Sequence, residues 1–195
     1  MSAAPARVLG IDPGSRVTGW GVVEVAPGSA RAVAWGTLRL DPEAPIEVRL
    51  EAIHRGVAAV LGEHDPGAVA VEEAFVGRNV RSAIRLAEAR AVCLLAARFA
   101  GHGVHEVPPA LVKKALTGHG QATKEAVRVA VMRSLGWAEE TRAPAYDAAD
   151  ALAIAVCVAW RLETPAALRP QGVGRRGRRG GWTLADVERQ QREAL

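Results

Sequence analysis

Four acids of the chain sit where carboxylates could act together. Asp12 closes the apolar run "VLGI", Glu72 closes "AVAV", and Asp147 and Asp150 open the segment "DAADALAIAV". A spacing of three residues puts the last two on one face of a helix. Carboxylates gathered at one spot repel each other, so such a cluster costs stability unless a cation occupies it. Mg²⁺ suits the role: it prefers oxygen ligands, keeps some of its waters and leaves positions for phosphate oxygens. Two such ions about 3.5 to 4 Å apart would support in-line attack of water on a phosphodiester. Each acid alone also has a plain structural reading, because Asp is common in turns at strand ends and Asp147 could cap its helix. Asp150 weakens that reading, since a lone charge within "AADALAIAVCVAW" is expensive without a partner. Glu73 competes with Glu72. On a strand they point to opposite faces, so only one can join the cluster, and the pattern leaves the choice open.

The elements that must position these acids are legible in the hydrophobic periodicity. Val8–Ile11, Thr18–Val25 and Arg31–Leu40 read as three strands, the last two joined by the turn "APGS". Leu50, Ile53, Val57, Val60 and Leu61 repeat at helical spacing until Asp65-Pro66-Gly67 stops them, and "AVAVE" then reads as a buried strand. An alanine-rich helix over about Ser82–Ala100 and a short strand "VHEV" follow. Helices near Pro109–Leu116, Lys124–Leu135 and Asp147–Leu162 complete the core. The expected fold is α/β, a mixed sheet with helices on its faces. Ala148, Ala149 and Ala151 are small enough to let the last helix approach the sheet closely. Pro13 and Gly14 suit a tight turn after Asp12, with Ser15 and Arg16 on its rim.

Composition bounds the function. The 195 residues suffice for one full core. The longest apolar run, Ala151–Trp160, is far short of the roughly 20 residues of a membrane span. A soluble cytoplasmic protein is expected, with Cys93 and Cys157 as small buried thiols. The net charge of +4 resides in the tail: from Thr164 onward there are seven Arg against three acids, leaving 18 basic and 18 acidic side chains before it. The expected domains are therefore a core over residues 1–163, a disordered Arg- and Gly-rich linker over 164–181, and a short C-terminal helix over 182–195. The arginine cluster suits phosphates, or simply keeps the tail solvated.

The segments "GIDPGSRVTGWGVV", "VEEAFVGRNVRSAIRLAEARA", "LVKKALTGHGQATK" and "DAADALAIAV" resemble, in order and spacing over roughly residues 7–162, the signature segments of RuvC, the bacterial Holliday junction resolvase family. The resemblance implies a ribonuclease-H-like fold with a mixed five-stranded sheet flanked by helices. It also implies an endodeoxyribonuclease that cuts four-way junctions by paired symmetric nicks in recombination and repair, acting with Mg²⁺, for which Mn²⁺ can substitute, with two ions per site. It places the metal-binding acids on Asp12, Glu72, Asp147 and Asp150, favouring Glu72 over Glu73. It also gives Phe75 a base-stacking role, against the alternative that Phe75 is core, and names RuvA and RuvB as partners.

Other residues add hints of their own. In "AFVGRNVRS", Arg78 and Arg81 suit phosphates, and Asn79 bonds either the loop or the substrate. The chain has only three lysines, Lys113, Lys114 and Lys124. Keeping lysine here, where arginine serves everywhere else, suggests that a compact ammonium is wanted. By resemblance Lys113 and Lys124 lie near the active site, while Lys114 is their solvated neighbour, grouped with the DNA contacts. A junction with two symmetric cut sites asks for a two-fold dimer, and the helix "SAIRLAEARAVCLLAARFA", apolar around much of its circumference, is the candidate interface or else simply core. The rival functions are a nuclease of RNA-DNA hybrids, a non-catalytic junction-binding protein, and an actin-like ATPase, which would need two such domains.

Overall fold

The computed structural model describes residues 6–26, 29–73, 79–137 and 143–163. The strands are β1 (Ala6–Asp12), β2 (Val17–Ala26), β3 (Ser29–Arg39), β4 (Ala68–Glu72) and β5 (Val104–Val107). The helices are α1 (Ile46–His64), α2 (Val80–Phe99), α3 (Pro109–Thr117), α4 (Lys124–Ser134) and α5 (Tyr146–Glu163). They form one mixed sheet in the order β3-β2-β1-β4-β5, antiparallel through β1–β2–β3 and parallel from β1 through β4 to β5. The helix α1 makes the crossover that a parallel β1–β4 pair requires. Every strand and helix expected from the periodicity is present. The expected linker, the C-terminal helix, Phe75, Arg78 and the middle of the "APGS" turn lie outside the described residues.

Both sheet faces are covered, so the buried middles of β1 and β4 carry apolar residues at successive positions. Val8 and Ala70 pack towards α3, α4 and α5, while Leu9, Ile11, Val69 and Val71 pack towards α1 and α2. Strand alternation then fixes the acids. Asp12 shares a face with Val8, and Glu72 shares a face with Ala68 and Ala70, so both carboxylates emerge on the α5 side. The register, which sets Ile11 beside Val71, puts the two acids at neighbouring strand ends.

The helix α5 lies very close to the sheet, and glycine makes that possible. A Cβ on Gly10 would come within 2.0 Å of the Ala151 carbonyl oxygen, and one on Gly19 within 2.0 Å of that of Asp147. The matching helix positions Ala148, Ala151 and Ala155 are buried and small. This approach holds Asp147 and Asp150 against the end of β1. Gly19→Ala is therefore expected to displace the helix that carries Asp147, costing roughly 1–3 kcal/mol and lowering the melting temperature by about 2–12 °C. An unchanged melting curve would refute the close-packing account. Cys93 and Cys157 are free and buried, and burial pushes their thiols up to about 12 and about 11, consistent with inert core residues.

Candidate active site

The β1–β2 turn is locked from within. The Thr18 hydroxyl donates to the Gly14 carbonyl at 2.8 Å and accepts from the Gly14 amide at 3.3 Å, and Thr18 is fully buried. Gly14 is required by a close approach rather than by left-handed backbone, since a Cβ there would meet the Val17 carbonyl oxygen at 2.2 Å. Asp12 is thus held at the base of a rigid turn. At the neighbouring strand end, Arg90 of α2 donates from Nε to the Glu72 carbonyl at 3.0 Å and pairs with Glu106, fixing the backbone that carries Glu72.

Asp12, Glu72 and Asp150 line one cavity of about 230 Å³ together with Lys113, Lys124 and the apolar walls Val112, Val127 and Ile154. Asp147 stands one helical turn before Asp150 and is close enough for its charge to act on Asp12. Glu73 is exposed, and its amide is used on the Val107 carbonyl, so Glu72 is the glutamate that faces the cavity. Lys124 donates to Asp150 at 3.1 Å. Its helix begins with a Thr123 cap on the Ala126 amide, which places the lysine at the first position of α4 and over the acids.

The electrostatics are those of crowded, half-dry carboxylates. Burial first, then the charges of Glu72 and Asp150, push the Asp12 carboxyl up to about 8. Glu72 is also raised, by burial and by Asp150, against the opposing pull of Lys124 and Lys113. Lys124 is raised chiefly by Asp150. These acids are therefore poised to exchange a proton for a metal cation. Among the described residues no three His, Cys, Asp or Glu side chains converge as a ready-made ligand set. The acids instead stand around the cavity, with lysine as counter-charge. Hard oxygen donors, too few to enclose an ion, suit a divalent cation that retains part of its water shell.

The remaining expected residues fall elsewhere. Asn79 caps α2, its side-chain oxygen accepting from the Ser82 amide at 3.2 Å, so the local role in the loop is the one occupied. Arg81 is exposed in the first turn of α2, and Lys114 is exposed and outside the cavity. The contributions of Thr18 and Arg90 escaped the sequence reading. The signal for Arg90 was a charge next to Ala89 on the buried side of α2.

The model of the family described as "Crossover junction endodeoxyribonuclease RuvC" matches residues 8–158. The chain belongs to the RuvC family. RuvC of Magnetococcus marinus is 42% identical over 182 residues, which is 91% of this chain and 98% of that one. RuvC of Rhodospirillum rubrum is 45% identical, over 77% of this chain and 88% of its own. The structure of T. thermophilus RuvC in complex with a Holliday junction substrate superposes with a TM-score of 0.72 at 40% identity, covering 78% of this chain and 92% of that one. The mixed five-stranded sheet flanked by helices is thus the RuvC architecture, as expected from the order of elements.

Proposed function

We propose that this RuvC-family chain is a metal-dependent endonuclease that resolves four-way DNA junctions by paired symmetric nicks. The observation that carries this is the cavity in which Asp12, Glu72 and Asp150 face Lys113 and Lys124, with Asp147 one turn away. Asp12, Glu72, Asp147 and Asp150 would hold two Mg²⁺ ions, for which Mn²⁺ could substitute. Bound there, the ions would supply a lowered pKa for the attacking water and neutralisation of the phosphate charge. The protein's own part is positional. The sheet fixes Asp12 and Glu72, α5 fixes the other two, and the apolar walls partly bury the carboxylates. Lys113 and Lys124 line the same cavity as the acids, Lys124 directly against Asp150, and would stabilise charge developing on a phosphoryl group there. Lys124 also neutralises Asp150 until a cation arrives. Phe75 is assigned to stacking on an unpaired base at the junction, and Arg78, Arg81 and Lys114 to the DNA backbone, while Asn79 serves as the cap of α2.

The test is the substrate. Nicking of a synthetic four-way junction at symmetric positions, with linear duplex and RNA-DNA hybrid left intact, is the expected result. Cutting of the hybrid would make the chain a hybrid nuclease, and tight junction binding without cutting would make it a binding module.

A homodimer follows from the two cut sites and from α2. Its core side is small, with Ala89, Cys93, Ala96 and Ala97 buried, while Val80, Ile84, Leu95 and Phe99 form an outward stripe, Phe99 being 77% exposed. The helix therefore carries apolar residues on two faces, with its charged residues between them, and the outer apolar face suits a second copy. Leu95→Glu with Phe99→Glu is expected to yield monomers by sedimentation and to turn paired nicks into single ones. A dimer that persists would sink this assignment. RuvA and RuvB are the proposed partners at the junction. Among the described residues no helix is long and apolar enough to cross a membrane, and a cytoplasmic location is proposed because the DNA is there.

A further inference from the structure

A second cavity, of about 680 Å³, lies between the β1–β2 turn and the helices α1 and α2, and its lining contains Arg16, Arg49, Arg81 and Arg85 with Ser15 and Ser82 and, among the described residues, no acid. The four arginines come from three separate segments, so their meeting is a product of the tertiary fold rather than one solvated helix face. It is also not compositional, because before Thr164 acidic and basic side chains balance at 18 each.

The guanidinium groups are under-used. Arg49 is anchored by one bond, from Nη1 to the Ser15 carbonyl at 3.0 Å, while its Nε is shut off from water with no hydrogen-bond partner. Arg85 is paired with Glu88 at 2.9 Å. The side chains of Arg16 and Arg81 make no hydrogen bond or ion pair with any described residue. Four guanidinium groups gathered in one hollow, of which Arg85 has a carboxylate partner, repel one another, and an anion with several oxygens would relieve that repulsion. Guanidinium forks match phosphate oxygens in pairs.

Position identifies the phosphate. Ser15 follows Asp12 by three residues, so the hollow begins within about 10 Å of the carboxylates along the chain. A DNA strand carries a phosphate about every 3.4 Å of its axis, so a strand cut at Asp12 has further phosphates in reach. We propose that Arg16, Arg49, Arg81 and Arg85 form a second phosphate seat, which holds a DNA backbone phosphate a few nucleotides from the cleaved one. This rests on the junction-nicking function proposed above and gives it a second point of attachment.

The test compares junction affinity across a salt series, in chelator, for the full-length protein, for Arg16→Gln with Arg81→Gln, and for a charge-matched control, Arg31→Gln with Arg55→Gln. The seat predicts that the first pair weakens binding about tenfold or more and lowers the slope of log affinity against log salt by about one, the value for one lost phosphate contact. Its melting temperature should hold or rise, since repulsion is removed. The control should bind and nick as the unmodified protein does. If the first pair behaves like the control, or loses affinity with its slope intact and its melting temperature lowered, the seat is refuted while junction nicking stands. If the unmodified protein neither binds nor nicks a junction, both fall.

Discussion

Asp12→Asn is expected to abolish junction cleavage and, at the same time, to make the metal-free protein more stable at pH 8.5. The loss of activity follows from removing one of the central carboxylates of the cavity. Metal-assisted charge stabilisation contributes several kcal/mol, which at 1.36 kcal/mol per factor of ten amounts to about 10³-fold or more. The gain in stability follows from the raised Asp12 carboxyl, pushed from 3.8 to about 8 by burial and then by Glu72 and Asp150. A group whose pKa is higher in the folded state contributes stability that is full below its unfolded pKa, near 4, and is lost as the pH climbs through 8. Relative to the Asn variant, the metal-free wild type should therefore weaken between about pH 4 and 8. The difference is on the order of a few kcal/mol, or roughly 10 °C in melting temperature. Saturating Mg²⁺ should narrow or reverse the gap, because it binds the folded wild type and not the variant. Melting curves at pH 4.5, 6.5 and 8.5, with and without Mg²⁺, check every part of this. A variant that melts lower than the wild type at pH 8.5 without metal would contradict it.

The second large effect separates two adjacent glutamates. Glu72→Gln is expected to reduce cleavage by about 10³-fold, and Glu73→Gln by no more than about twofold, with the same single-turnover assay reading both. The reasoning is geometric. Glu72 lines the cavity while Glu73 is exposed and contributes its backbone amide to Val107. Comparable losses in the two variants would show that the end of β4 is placed wrongly. The catalytic cost for Glu72 is again that of weakening a metal's hold on the reacting phosphate.

This pair also shows what the sequence could and could not reveal. The strand "AVAVE" was legible as buried, but with both faces apolar its alternation carried no mark of which face held the site. Resemblance to the RuvC family favoured Glu72, and pairing with β1 supplies the physical reason, because Gly10 and Asp12 share the face against which α5 packs. Asp150 was legible for a simpler reason: a charge inside an apolar helix is costly, and the cost is met here by Lys124 at 3.1 Å. The lysines stood out because arginine replaces lysine everywhere else. Arg49 and Arg85 did not stand out, since each is ordinary on its own helix and only the tertiary fold brings them beside Arg16 and Arg81. Thr18 was invisible for the same reason, its value lying in two bonds to Gly14 across a turn. In α2 the sequence showed too much apolar surface without showing that it belonged to two faces. Small residues on one side and Leu95 and Phe99 on the other resolve it.

The most direct measurement is the metal dependence of junction nicking at saturating protein, run on the wild type and on Asp150→Asn, with junction binding followed in the same samples. The account predicts symmetric nicks by the wild type with Mg²⁺, none in chelator, and recovery when Mg²⁺ is restored. Asp150→Asn should bind the junction throughout and nick at most about 10⁻³ as fast. Nicking that persists in chelator, or an Asp150→Asn protein that cuts at the wild-type rate, would contradict it.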